Sequence, residues 1–157
     1  MRSIRRLKEH ADLCIKLGQS SHPATGAALY RTYRELSCFV AMLGFEQGRE
    51  RDLDGPTELF VDGRIFEGSE TAVDVLYLIG IASMKSTSVL DDTEEAEEKL
   101  VKAFERFVAG GLDIVAEWMA AEPSDTNGDK AVLTALRRGG YLERIQTAED
   151  ALARVVF

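Results

Sequence analysis

The longest helical pattern in this chain carries two adjacent glycines in its middle. Apolar residues recur every three or four positions from Leu100 to Val108, and the same period resumes at Leu112 and runs to Met119. Gly110 and Gly111 separate the two stretches, and two glycines inside a helix cost about 2 kcal/mol relative to alanines. We therefore expect a break, a kink or a backbone contact with a neighbouring element at this point.

The start of this helix is marked by a capping pattern. Asp92 is a good N-cap, and Glu95 follows three residues later as in a capping box, so the helix is predicted to begin near Thr93. Acidic residues crowd the same place: Asp91, Asp92, Glu94, Glu95, Glu97 and Glu98. Carboxylates at a helix start are favoured by the helix dipole. We therefore interpret the run mainly as a helix start, with a cation site or an imitation of nucleic acid as the functional alternative.

Most of the remaining chain shows the same helical period. Helices are predicted over residues 4–17, 27–45, 70–84, 130–138 and 148–154, the third capped by Ser69. The helix over 70–84 is apolar nearly all round, which predicts a position at the centre of a bundle. Lys85 to Val89 is predicted as a break, and Val155-Val156-Phe157 is an apolar tail.

One short segment favours strands. Residues 59–61 and 65–66 are apolar and flank Asp62-Gly63-Arg64, a sequence typical of a β-hairpin turn. The predicted fold class is therefore mainly α: an irregular bundle of five to seven helices with one short β-hairpin. We expect one domain over residues 1–157, in which 128–157 form a C-terminal helical extension.

Charge divides the chain into two unequal parts. Residues 1–51 carry nine Lys/Arg and five Asp/Glu, a net of +4, whereas 52–157 carry ten and twenty-two, a net of −12. The basic residues of interest are Arg5, Arg6, Lys8, Arg49 and Arg51. Solvated surface explains them equally well, but if the first helix and the loop after the second lie side by side, they form one patch for phosphates or an acidic protein.

Catalytic and metal-binding patterns are weak. No nucleophile elbow, P-loop or dinucleotide-binding glycine pattern occurs, and His10 and His22 are the sole histidines. His10 and Cys14 stand four apart, but a structural zinc site needs a second pair, so we interpret them as packing residues. We expect no enzymatic activity, no cofactor and no metal.

Location is inferred from the same features. No apolar run is long enough to span a membrane, and the basic N-terminal stretch lacks a signal-peptide core. Cys14 and Cys38 are predicted to be reduced thiols. We expect a cytoplasmic protein with no membrane partner.

Three segments resemble a known family. Residues 4–9 (IRRLKE), 41–49 (AMLGFEQGR) and 104–112 (FERFVAGGL) are similar, in this order, to segments of the family of dnd system-associated protein 4. Genes of that family accompany DNA phosphorothioation systems, which mark the DNA backbone with sulfur and restrict unmarked DNA. The resemblance implies a small accessory protein of bacterial antiphage defence, with other defence-system proteins as partners, and implies no reaction.

Three functional hypotheses remain open. The first is a non-enzymatic interaction subunit that binds a partner protein or DNA through its basic N-terminal patch. The second is an acidic decoy or regulator that occupies a nucleic-acid-binding protein through residues 91–98. The third, a nuclease or hydrolase built on carboxylates, is the least favoured. Self-association is a further possibility, because helical domains of this size often share an apolar stripe.

Overall fold

The computed structural model describes residues 1–142. The chain begins with strand β1 (Ile4–Leu7), a 3-10 turn (Lys8–His10) and helix α1 (Ala11–Gly18), followed by α2 (Tyr33–Glu46). Strand β2 (Thr57–Val61), the short α3 (Gly63–Glu67) and α4 (Glu70–Met84) come next. A second 3-10 turn (Thr87–Leu90) leads to α5 (Glu94–Ala121) and α6 (Asp129–Arg138). The mainly α fold class is confirmed, with six helices and one two-stranded antiparallel sheet in the described part.

Helix α5 is the centre of the fold, and α2, α4, α6 and β1 all pack against it. Its apolar stripe, which includes Leu100, Phe104 and Val108, is buried together with Leu36 and Val40 of α2. A central helix of 28 residues can accept neighbours on several sides because its own backbone is hydrogen-bonded throughout.

The two glycines allow a close backbone contact. Helix α5 continues through Gly110 and Gly111 without interruption. A Cβ atom on Gly111 would collide with the carbonyl oxygen of Val40, and one on Gly110 with that of Arg49. Gly44 of α2 faces the backbone of Phe107 in the same way. Of the three expected outcomes, the contact with a neighbouring backbone is the correct one.

The first predicted helix was wrong over its first half. Residues 4–7 form a strand, with Arg6 opposite Glu58 and Leu7 opposite Thr57 of β2, and a helix begins only at Ala11. Ile4 and Leu7 are both buried and stand three apart, a spacing that suits a helix. In the strand Ile4 and Arg6 are buried on one side and Arg5 is exposed on the other, and Leu7 is buried at the end of the strand.

The predicted local hairpin was also wrong, although an antiparallel pair of strands exists. The Asp62 side chain accepts a hydrogen bond from the backbone N–H of Arg64 and caps α3, so Ile65 and Phe66 are helical. An Asp-Gly pair can serve either as a turn or as a helix start, and β2 finds its partner in β1 instead.

The remaining boundaries differ by less. Helix α4 has the predicted bounds and the Ser69 cap, but it lies at the side of the bundle, with Leu78 65% exposed. Helix α2 begins at Tyr33, capped by Thr32, and not near residue 27. The cap of α5 is Thr93 rather than Asp92, and Glu95 binds Lys99 instead of closing a capping box. The predicted helix over 148–154 and the apolar tail lie outside the described residues.

Candidate functional site

The two arginine-bearing segments of the N-terminal part lie next to each other on α5. The backbone N–H of Arg49 donates to Gly44, and that of Arg51 donates to the carbonyl oxygen of Arg106. This path carries Arg51 to the first 3-10 turn, where its guanidinium contacts Glu9. Arg51 therefore lies beside the turn that follows β1.

Acidic residues of α5 neutralise this segment. Arg49 makes a bidentate pair with Glu117, with nitrogen–oxygen distances of 2.9 and 2.5 Å. Arg51 donates to Asp113 at 3.0 Å in addition to its contact with Glu9. We call Glu9, Arg49, Arg51, Asp113 and Glu117 the charge belt. Its two signs are nearly balanced.

The charge belt shifts the pKa values of its members in the directions expected for ion pairs. The hydrogen bond with Glu117 raises the pKa of Arg49, and the same contact lowers the pKa of the Glu117 carboxyl. Burial by itself lowers the pKa of Arg51, but Asp113 and Glu9 outweigh it and leave the pKa raised. Arg49, Arg51 and Glu117 are therefore charged at neutral pH.

The buried His10 side chain contacts the charge belt at Asp113. Its Nε2 atom lies 2.8 Å from Oδ1 of Asp113, and the residue is 5% exposed. The ligand atoms of Glu9, His10 and Asp113 are close enough to share a metal ion. The Arg51 guanidinium already binds both carboxylates, however, so the positive charge at this point is supplied by the protein itself.

Arg6 is not available to a ligand. It is 5% exposed and lies against the adjacent rings of Tyr33 and Phe60, with its Nη1 atom 2.6 Å from a carboxylate oxygen of Glu58. That pair is close but is not aligned as a hydrogen bond. Arg6 therefore supports the sheet and does not belong to a binding surface.

Arg5 and Lys8 are the exposed cations of the predicted set. Arg5 donates to the hydroxyl and the carbonyl oxygen of Thr57, at 2.9 and 3.2 Å. Lys8 is exposed and has no acidic partner within residues 1–142. Both can take a partner without giving up an internal ion pair.

One charged contact was missed from the sequence. The Arg2 guanidinium binds Glu105 through two nitrogens, at 2.7 and 2.9 Å, and also binds Glu98. These hydrogen bonds, that to Glu105 first, raise the pKa of Arg2 above its usual range. Glu105 also accepts the backbone N–H of Arg5. The available signal was Glu105 itself, a carboxylate beside Phe104 in an otherwise apolar stripe.

The six residues of the predicted acidic surface fall into two groups, those with a partner in the protein and those without one among residues 1–142. Glu94, Glu95 and Glu97 lie in the first turn of α5, as a helix start requires. Glu97 and Glu98 bind the backbone and side chain of Arg2, and Glu95 binds Lys99. Three members, Asp91, Asp92 and Glu94, are exposed without a cationic partner among residues 1–142. They line a cleft of about 410 Å³ with Tyr77 and Leu90.

The described cysteines and histidines do not form an activated nucleophile. Burial raises the pKa of the Cys14 thiol to about 12 and that of Cys38 to about 11, so both stay protonated at neutral pH. Within residues 1–142, His10 binds Asp113 and His22 lies near Asp129, and neither histidine is hydrogen-bonded to a serine or cysteine side chain.

Comparison with known proteins identifies the family. The family model described as DNA sulphur modification system-associated protein 4 matches residues 3–150. The chain belongs to this family. No curated protein and no solved structure matches the chain. Its family name associates it with a DNA sulphur modification system.

The three segments that carry the resemblance meet in space in this family member. The segment 41–49 contains Gly44, which contacts the backbone of Phe107 and Gly111 in the segment 104–112. The segment 4–9 joins them because Arg5 donates to Glu105. These segments therefore hold β1 and α2 against α5. Over residues 1–142, the structure contains no helix with the length and hydropathy needed to cross a membrane.

Proposed function

We propose that this chain is a non-catalytic interaction subunit of a DNA sulphur modification system in bacterial antiphage defence, that it acts in the cytoplasm, and that its partner is a protein. Membership of the family supports the association with the system. The absence of an assembled nucleophile–base pair within residues 1–142 agrees with a non-catalytic role.

The charge belt is the observation that carries this proposal. A DNA-binding surface needs cations that release counterions from phosphates. Here Arg49 and Arg51 are each bound to carboxylates of α5 or the first 3-10 turn. The chain as a whole has a net charge of −8. A surface of alternating signs is complementary to another protein surface of alternating signs.

Arg5, Lys8, Arg49 and Arg51 are the proposed contact residues. The ion pairs of the charge belt are partly exposed, and pairs of that kind are worth about 0–1 kcal/mol each. Carboxylates of a partner can therefore replace Glu117 or Glu9 at little cost. Arg5 and Lys8 supply free cations beside them.

The direct test is co-purification with each protein of the modification system, expressed together with this chain. A variant with Arg5, Lys8, Arg49 and Arg51 changed to alanine is expected to weaken the complex at least about tenfold, as measured by calorimetry. The control variant changes Arg31, Arg64, Arg137 and Arg138 to alanine, which removes the same charge from exposed positions elsewhere.

Three results would overturn parts of the proposal. Equal affinity of the two variants for the partner would show that the charge belt is not the contact surface. Retention of modified or unmodified duplex DNA at 150 mM salt, lost in the first variant, would make DNA the partner. Cleavage of either duplex in the presence of a divalent metal would end the non-catalytic assignment.

The second candidate, an acidic regulator of a nucleic-acid-binding protein, is favoured by one observation. Asp91, Asp92 and Glu94 keep three unpaired carboxylates together on the surface described by residues 1–142. This candidate predicts salt-sensitive binding to a basic protein, lost when the three residues become amides and kept in the variant of Arg5, Lys8, Arg49 and Arg51.

A further inference from the structure

Helix α4 presents an apolar face to solvent. One side of the helix is buried against α5, where Gly80 makes room for Leu100. On the other side Tyr77 is 37% exposed and Leu78 is 65% exposed, and Ala82 continues the same face one turn on. Leu90, 51% exposed, ends the second 3-10 turn and lines a cleft together with Tyr77. We call Tyr77, Leu78, Ala82 and Leu90 the α4 face.

This face differs from an ordinary solvated helix surface. Residues 75–84 contain no charged side chain, whereas an exposed helical face normally carries several. Contiguous exposed apolar residues with a polar rim are typical of interaction sites. No described element covers them.

The rim of the α4 face is acidic. Asp91, Asp92 and Glu94 share a cleft with Tyr77 and Leu90, and Glu97 borders the same cleft. Asp74 stands one turn before Leu78 on the exposed side of α4. Two lysines lie near these carboxylates. Lys85, at the end of α4, is exposed, whereas Lys99 is already bound to Glu95 at 2.6 Å. An occupant must therefore be apolar in the middle and basic at its edges.

We propose that the α4 face docks a basic amphipathic helix of a partner protein. Apart from its end, the backbone of α4 is hydrogen-bonded within the helix, so a partner gains nothing by adding a strand and must pack side chains instead. The exposed stripe from residue 74 to residue 85 is about 16 Å long. A partner helix of about three turns matches it, with apolar anchors three and four residues apart over Leu78.

A second copy of the chain is a poor occupant. A two-fold interface uses the same patch twice, so the carboxylates flanking Tyr77 in both copies would be buried in one contact. Like charges in an interface are strongly unfavourable. Lysines and arginines of a different chain convert the same carboxylates into attraction.

This inference rests on the proposed function only in that the chain binds a protein, and it uses a different surface from the charge belt. The probe is a synthetic 18-residue helix of leucine, lysine and alanine, with leucines on one face and lysines on the other. We expect binding to the whole chain by fluorescence anisotropy, weakening as salt rises. The matched peptide with glutamate in place of lysine is expected not to bind.

Site variants locate the contact. We expect Leu78→Ser to lower affinity for the peptide about tenfold. Changing Asp91, Asp92 and Glu94 to amides is expected to do the same at low salt. Controls of equal chemistry are Ile65→Ser, an exposed apolar residue of α3, and amides at Asp12, Asp54 and Glu122, all expected to leave affinity unchanged.

Each other outcome counts against the proposal. Equal binding of the lysine and glutamate peptides, or equal loss in site and control variants, would mean non-specific adhesion. A dimer in sedimentation that Leu78→Ser dissociates would make a second copy the occupant. Failure of the peptide to bind while co-purification succeeds through the charge belt would reject this inference and leave the proposed function standing.

Discussion

At the scale of single residues, polar groups in this protein mostly serve the fold. The sequence predicts Arg5 and Arg6 as two adjacent exposed arginines, yet Arg6 is buried against Tyr33 and Phe60 while Arg5 is exposed. The sequence cannot separate the two, because the difference depends on which side of the strand faces the core. Asp125 is a second case, a buried acid whose role is local.

Asp125 provides a prediction about stability and pH. Its carboxylate accepts the backbone N–H groups of Asn127, Gly128 and Ala131 at 3.3, 3.0 and 2.8 Å, and so caps α6, whose N-cap Gly128 has no side chain to do so. Asp125→Ala is expected to lower the free energy of unfolding by about 1–2 kcal/mol at pH 7. Urea unfolding followed by circular dichroism measures this difference, with exposed Asp12→Ala as the control.

The pH dependence follows from the direction of the pKa shift. Burial by itself raises the pKa of Asp125, but the hydrogen bonds from Ala131, Gly128 and Asn127 outweigh it and lower the pKa. The contribution of the carboxylate is therefore complete above the unfolded-state pKa of about 3.9 and is lost as the pH falls through the lower folded-state value. The gap between the wild type and Asp125→Ala should narrow below pH 4, and a constant gap from pH 7 to pH 3 would contradict this account.

At the scale of elements, the sequence predicted what local periodicity controls and failed where distant segments decide. Helices α4 and α6 have nearly the predicted bounds, and α5 starts one residue later than predicted. Strand β1 was missed because its partner lies about fifty residues away. The sequence singles out Arg49 and Arg51 but does not pair them with Asp113 and Glu117, because the orientation of α5 toward residues 49–51 is a tertiary property.

The contact between α2 and α5 gives a prediction that opposes helix propensity. Alanine at an exposed helical position stabilises by about 1 kcal/mol relative to glycine. Gly111→Ala should instead lower the free energy of unfolding by about 2–4 kcal/mol, because its Cβ would collide with the carbonyl oxygen of Val40 and push the helices apart. Chemical denaturation measures the change.

Gly55→Ala is the matched control for this prediction. Gly55 lies in a loop, where a Cβ would meet Leu7 Cδ2 at 3.6 Å, an ordinary contact distance. The Gly55→Ala substitution is expected to change the free energy of unfolding by less than about 0.5 kcal/mol. A Gly111→Ala protein as stable as the wild type would show that the two helices can separate without loss.

At the scale of the whole molecule, one acidic residue ties the N-terminal strand to the central helix. Glu105 accepts two hydrogen bonds from the Arg2 side chain and one from the backbone of Arg5, across about a hundred residues of sequence. It is 5% exposed, so exchanging one of its two carboxylate oxygens for an amide nitrogen leaves a part-buried donor of Arg2 without its acceptor.

Glu105→Gln should therefore loosen the N-terminal strand as a unit. We expect a loss of about 2–4 kcal/mol in the free energy of unfolding and faster hydrogen exchange at the amides of β1 and β2 than in the wild type. The amides in the middle of α6 serve as the internal reference. Equal protection of β1 in the two proteins would show that the strand is held by its apolar residues alone.

The close approach at Gly110 has a consequence for how this protein can vary. The carbonyl group of Arg49 packs directly against the buried backbone of Gly110, where no side chain separates them. Adding even a methyl group there would displace the whole stretch that carries Arg49 and Arg51. A single buried substitution would thus reshape the proposed contact surface, although every residue of that surface stayed the same.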